Sequence, residues 1–131
     1  MREGLKELSL DCLKRAKLKK NDVVLDIGAN DGTLLNYYKK KNFKTIGCEP
    51  AKNLKNELNK NCDFSINNFW DKNELNKLFK KNNLNIPKII TAIGMFYDLE
   101  EPNKFIKDAA DSLSNDGIFI ASSPWRNAVI M

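Results

Sequence analysis

The stretch Val23-Val24-Leu25-Asp26-Ile27-Gly28-Ala29-Asn30-Asp31-Gly32 constrains the fold more than any other part of the chain. Its apolar run, residues 23–25 resumed at Ile27, opens on two β-branched residues and does not alternate with polar ones. Such a run suits a strand buried on both faces, and strands of that kind belong to parallel sheets covered by helices on each side. Glycines at 28 and 32 let the backbone approach a ligand closely, and Asn30 between them tolerates positive φ better than most residues. A helix expected from about Thr33 turns its N–H groups back toward whatever that loop holds.

The same alternation of element types continues along the chain. Leu5, Leu8, Cys12, Leu13 and Ala16 recur at helical spacing ahead of the first strand. After it come a helix to about Lys41, a strand over residues 44–49, a helix over 52–58 and a weak strand over 62–66. A helix carrying Leu75, Leu78 and Phe79 precedes a fourth strand over 88–93. Pro102 opens a further helix at a position where its missing N–H costs nothing, with Phe105, Ile106, Ala109, Ala110 and Leu113 on its apolar side. Asn115-Asp116-Gly117 then turns the chain into a fifth strand, residues 118–121. Alternating strands and helices imply right-handed crossovers and an α/β fold with a doubly wound, mostly parallel sheet of five strands. Residues 1–131 show no internal repeat and no linker, so a single domain is expected.

Composition narrows the function. The net charge of +5 comes from lysines scattered among asparagines, as in Lys39-Lys40-Lys41-Asn42 and Lys80-Lys81-Asn82-Asn83. These read as solvated helix ends; no interleaving of arginine with aromatic residues accompanies them, which argues against a nucleic-acid partner. No apolar run approaches the roughly 20 residues that cross a bilayer, and the start lacks a signal peptide's basic-then-apolar layout, so a cytoplasmic protein without membrane contact is expected. The three cysteines lie far apart and the chain has no histidine, which speaks against both a metal site and a disulfide framework.

Two carboxylates bear on the ligand. Asp26 lies inside the first strand, where an acid is costly unless it orders the glycine loop or meets a cation. Glu49 ends the second strand, about twenty residues after the loop, where a carboxylate accepts hydrogen bonds from both hydroxyls of a ribose. A nicotinamide fingerprint wants glycines spaced G-x-G-x-x-G, yet its second and third positions here are Asn30 and Thr33. The pattern D-x-G-x-N-x-G suits a nucleoside with a sulfonium better than a pyrophosphate. An NAD-binding oxidoreductase domain remains the weaker alternative.

The segment from Asp26 to Gly32, together with Glu49 and Pro50, resembles the first two motifs of the class I S-adenosylmethionine (SAM) dependent methyltransferases. Residues 26–35, 47–53 and 95–102 are similar to the branch that methylates carbon of nucleotide-linked deoxysugars. The resemblance implies SAM as cofactor, a small-molecule methyl acceptor such as a nucleotide sugar, and a Rossmann-like core. It also implies roles. Gly28, Asn30 and Gly32 line the methionine part, Glu49 the ribose, and Asn68 with Phe69 the adenine, with Asp26, Ala29, Asp31 and Pro50 also in the cofactor site. Ala92, Gly94 and Met95 flank the sulfonium and methyl group, and Tyr97 is a candidate acid or base. Many relatives carry an aspartate where this chain has Asn68.

Plainer readings stand beside these. Asp31 serves equally well as a cap for the helix at Thr33, Phe69 and Trp70 as core aromatics at the sheet edge, and Tyr97 as a wall residue. A non-catalytic SAM-binding or partner-binding module is the alternative of another class. The sugar branch has an N-terminal zinc module and a C-terminal substrate region without counterparts here, and the general fold has two strands after the fifth. The resemblance therefore implies a core domain whose fifth-strand edge, uncovered, invites self-association or a partner. The family's histidine for deprotonating a sugar carbon likewise has no counterpart, so the chain alone is expected not to methylate such a carbon.

Overall fold

The computed structural model describes residues 2–93, 102–123 and 126–130. Helix α1 (Arg2–Ala16) leads into strand β1 (Val23–Ile27), followed by α2 (Thr33–Lys39) and β2 (Lys44–Cys48). A 3-10 turn (Lys52–Leu54) opens α3 (Lys55–Asn61), and then come β3 (Phe64–Ile66), α4 (Lys72–Asn82) and β4 (Ile89–Ile93). The chain closes with α5 (Pro102–Ser112), β5 (Ile118–Ser123) and β6 (Arg126–Ile130). The strands form one sheet in the order β3-β2-β1-β4-β5-β6. The first five run parallel, as the alternation of elements requires.

β6 returns antiparallel along β5, pairing Ala121 with Val129 and Ser123 with Arg126. This corrects the expectation that the fifth-strand edge lies open to a second copy or a partner. The same chain covers it, because Arg126-Asn127-Ala128-Val129-Ile130 supplies the backbone partners itself. The sequence hides this strand: its residues do not alternate between polar and apolar, and no Asn-Gly or Asp-Gly pair announces the return.

Burial on both faces explains the unbroken apolar strands. Val23, Leu25 and Ile27 of β1 face one core together with Ile90 and Ala92 of β4, Leu75 of α4, and Phe105 and Ala109 of α5. Val24 and Ile89 face the other core, which α1, α2 and α3 close with Cys12, Ala16, Leu34, Leu35, Tyr38, Leu58 and Cys62. Among the described residues, three helices therefore cover one face and two the other. Leu58 and Cys62, four residues apart, draw the helical segment inward at its end, so α3 finishes later than the lysine-rich start of that segment suggests. The lysines fall where a helix dipole favours them: Lys39 in the last turn of α2, Lys60 in that of α3, and Lys80 and Lys81 in that of α4. All three cysteines are buried as free thiols. Among the described residues, no helix is long and apolar enough to cross a membrane.

Because β2 and β3 lie on one side of β1 and β4 on the other, the winding reverses between β1 and β4. In open sheets of this kind, ligands bind at such a reversal, outside the carboxyl ends of the strands.

Candidate cofactor site at the carboxyl ends of the strands

The chain leaves β1 through left-handed backbone three times, with Gly28 at φ 74°, Asn30 at φ 58° and Gly32 at φ 84°. Asparagine is among the few side chains that take this conformation readily, so the loop forms without a central glycine. Its backbone is tied to β2. The N–H groups of Gly28 and Ala29 both donate to the carbonyl of Cys48, at 2.8 and 3.0 Å.

Glu49, half-buried at the end of β2, joins two segments. Its Oε1 accepts from the Asn30 N–H at 2.9 Å, and its Oε2 accepts from the Ala51 N–H at 3.0 Å across Pro50. Each carboxylate oxygen keeps a second lone pair, so the group can still receive hydrogen bonds from a ligand.

Asp31 closes a side-chain turn just ahead of α2, whose N-cap is Gly32. Its Oδ1 accepts from both the N–H and the hydroxyl of Thr33, at 3.0 and 2.7 Å, at the start of α2. The Asp31 carbonyl accepts from Asn61 Nδ2 at 2.7 Å, reaching the last residue of α3. A Cβ on Gly32 would lie 2.7 Å from the Cβ of Asn61 and 3.1 Å from Leu58 Cδ1, so a larger residue is excluded twice, by φ and by space.

Asp26 lies below the loop, 5% exposed, opposite Thr91 of β4 and Gly47 of β2. The Thr91 hydroxyl donates to its Oδ1 at 2.7 Å. Burial pushes the Asp26 carboxyl up to about 7, against the pull of the Thr91 hydroxyl and with a smaller push from the charge of Glu49. Burial thus penalises the charged form, and a nearby cation would favour it. Nearby Cys48 has its thiol pushed up to about 12, chiefly by burial, so it is a neutral packing group.

Among the described residues, Asn68, Phe69 and Ala92 fall at the same end of the sheet. Asn68 and Phe69 follow β3; the Asn68 carbonyl accepts from the Cys48 thiol at 3.3 Å, and its Oδ1 accepts from the Phe69 N–H at 2.8 Å. Phe69 is 71% exposed, which removes it from the core, whereas Trp70 packs against the α4 side of the sheet. Beside them an open groove runs between β3 and α4, lined in part by Asn67, Asn68, Lys77 and Leu78. Ala92 is fully buried near the end of β4. Gly94, Met95 and Tyr97 lie outside the described residues. Sequence reasoning missed Thr91 and Asn61. Thr91 left a readable signal, a hydroxyl within Ile-Ile-Thr-Ala-Ile, whereas nothing at Asn61 marks a partner thirty residues away.

Residues 1–128 match the family of methyltransferase domains. The chain belongs to that family. No curated protein matches the methyltransferase domain in sequence. Among solved structures it is similar to the plantazolicin methyltransferase BpumL in complex with SAH, at 21% identity and a TM-score of 0.65, covering 90% of this chain and 44% of that one. It is similar also to an S-adenosylmethionine-dependent methyltransferase from Clostridium acetobutylicum, at 18% identity and TM-score 0.65, covering 92% of this chain and 50% of that one. A precorrin-6y C5,15-methyltransferase from Geobacter metallireducens matches at 15% identity and TM-score 0.62, covering 88% of this chain and 60% of the other. At these identities the likeness establishes the Rossmann-like fold. The methyltransferase domain spans between 44% and 60% of the length of these three relatives.

Proposed function

We propose that this methyltransferase domain binds SAM above the carboxyl ends of β1, β2 and β4 and holds it for transfer of its methyl group to a small-molecule acceptor. The observation that carries the reading is Glu49, whose carboxylate ends β2 while gripping the glycine loop through the Asn30 N–H. There it accepts hydrogen bonds from neighbouring ribose hydroxyls and keeps the loop at the spacing a nucleoside needs. Asp26, its carboxyl raised to about 7 by burial, is drawn to its ionised form by a ligand that carries an ammonium and a sulfonium. Asn30 in place of a second fingerprint glycine disfavours a pyrophosphate.

In this reading residues 28–32 enclose the methionine part, Glu49 and Pro50 the ribose, and Asn68 with the exposed Phe69 the adenine. Asp31 acts on the loop through its bonds from Thr33. Ala92, Gly94 and Met95 border the transferable methyl, with Tyr97 a candidate acid or base. When bound, SAM supplies an electrophilic methyl carbon; the protein's share is to orient donor and acceptor in line. The acceptor we favour is a nucleotide-linked sugar, on the likeness of residues 26–35, 47–53 and 95–102 to the sugar branch, and the compartment is the cytoplasm.

Calorimetry with SAM, SAH and NAD tests the cofactor. Binding of SAM and SAH but not NAD is expected; binding of NAD alone would overturn the reading. Incubation with SAM and a 4-keto nucleotide sugar, following SAH release and methylated product, tests the acceptor: product is expected only when a longer chain or a partner supplies the base, and repeated turnover by this chain alone would overturn that expectation.

A further inference from the structure

The geometry points to Asn61, at the end of α3, as the positioning residue that sets the cofactor loop, an inference that rests on the proposed SAM site. The peptide unit between Asp31 and Gly32 is held at both ends. Its carbonyl accepts from Asn61 Nδ2 at 2.7 Å, and its N–H donates to the Ala29 carbonyl at 3.0 Å. Gly32, at φ 84°, has no side-chain barrier of its own against rotation of that peptide. Without the Asn61 amide, the Asp31 carbonyl loses its donor from α3, and a flip would turn it away from that helix.

The packing shows that Asn61 and the loop are matched to each other. The Cβ of Asn61 occupies the space a side chain on Gly32 would need, and Leu58, one turn earlier on α3, reaches both Gly32 and Gly47. The helix following β2 therefore governs the shape of the loop following β1. Glu49, at the head of that same connection, takes the Asn30 N–H. Two residues from one segment thus grip the loop at successive positions, one through a donor and one through an acceptor. Glu49 faces the ligand in the proposed site, whereas Asn61 acts only through the loop.

The test compares Asn61→Leu with Asn59→Ala, both in the whole chain. Asn59 lies on the same helix and accepts from the Ser65 hydroxyl at 2.6 Å, so its removal also deletes an amide partner but touches no loop atom. Asn61→Leu is expected to weaken SAH binding roughly five- to tenfold, the loss of about one neutral hydrogen bond, and to speed hydrogen exchange at the Gly32 and Thr33 amides. Asn59→Ala is expected to change neither. If Asn61→Leu does not fold, Asn61→Asp removes the donor at nearly constant volume and is read in the same way. Unchanged SAH affinity and unchanged exchange at Gly32 and Thr33 overturn the inference. If the wild-type chain binds no SAH, the cofactor reading fails, and the exchange rates of the apo protein alone then decide for or against the role of Asn61.

Discussion

Replacing Asp26 with asparagine should stabilise the protein at alkaline pH while weakening its hold on a cationic ligand. The wild-type carboxyl titrates near 7 in the fold, against 3.8 for the ordinary group, chiefly through burial. Below about 3.8 the folded and unfolded chains both hold the proton. As pH rises from there toward 7, the unfolded chain has released it and the folded chain has not, so stability falls; above 7 the full penalty is present. A gap of roughly three pH units, at about 1.4 kcal/mol each, amounts to about 4 kcal/mol. An amide at this position carries no charge and still accepts from Thr91 through its oxygen, but it turns the second acceptor oxygen into a donor, at a cost of about 1 to 3 kcal/mol. The curves of Asp26→Asn and wild type should therefore cross: the variant is less stable near pH 4 and more stable, by about 1 to 3 kcal/mol, at pH 8.5. Urea unfolding at four or five pH values measures the difference, in which titrations shared by both proteins cancel. A difference that does not change with pH would show that Asp26 is not a buried, strained carboxylate. Calorimetry on the same samples should show weaker SAM binding by the variant at pH 8.5.

Glu49→Ala should weaken SAH binding by about 1 to 3 kcal/mol, the range for a charged hydrogen-bond partner, and undiminished affinity in calorimetry would place the ribose elsewhere. Gly32→Ala combines a left-handed φ of 84° with a 2.7 Å collision at Asn61 and should cost at least about 1 to 2 kcal/mol in denaturant unfolding. Leu58→Ala, a fully buried site, should cost about 2 to 5 kcal/mol and loosen the loop with the fold, visible as a lowered midpoint. Thr45→Val removes the hydroxyl that both donates to Asp63 Oδ2 and accepts from the Asp63 N–H at the foot of β2 and β3, and should lower stability by about 1 to 3 kcal/mol in the same assay.

The parallel strands were legible because a strand covered on both faces must be apolar throughout, and Val23 to Ile27 and Ile89 to Ile93 are apolar but for Asp26 and Thr91. The ends of elements were less so. The strand reading at residues 62–66 took in Cys62, whose apolar character serves the α3 side of the core, and β6 carries no pattern distinguishing it from a tail. Within the site, Gly28, Asn30, Gly32 and Glu49 announce themselves because their chemistry is local: left-handed backbone selects glycine and asparagine, and a carboxylate at a strand end stands out. Asn61 does not, since an exposed-looking amide in a lysine- and asparagine-rich helix is common in this chain. Its role exists only once α3 is packed against the loop. Asp31 was open to two readings in sequence; its bonds from Thr33 make it a turn residue beside the Gly32 cap, and ligand contact stays a proposal.

The central place of β1 bears on how the molecule folds. Its neighbour β2 begins about twenty residues later, but its other neighbour, β4, comes from the last third of the chain, and the bond from Thr91 to Asp26 closes a separation of 65 residues. Closing so long a loop carries an entropic cost that contacts repay only after the strands have met, which slows the folding of parallel sheets. On a ribosome, the half made of β1, β2 and β3 emerges first with its glycine loop already encoded. That half must wait with one edge of β1 bare until residues 89–93 arrive, so the segment that carries the most recognisable motif is also the one most exposed to mispairing during synthesis.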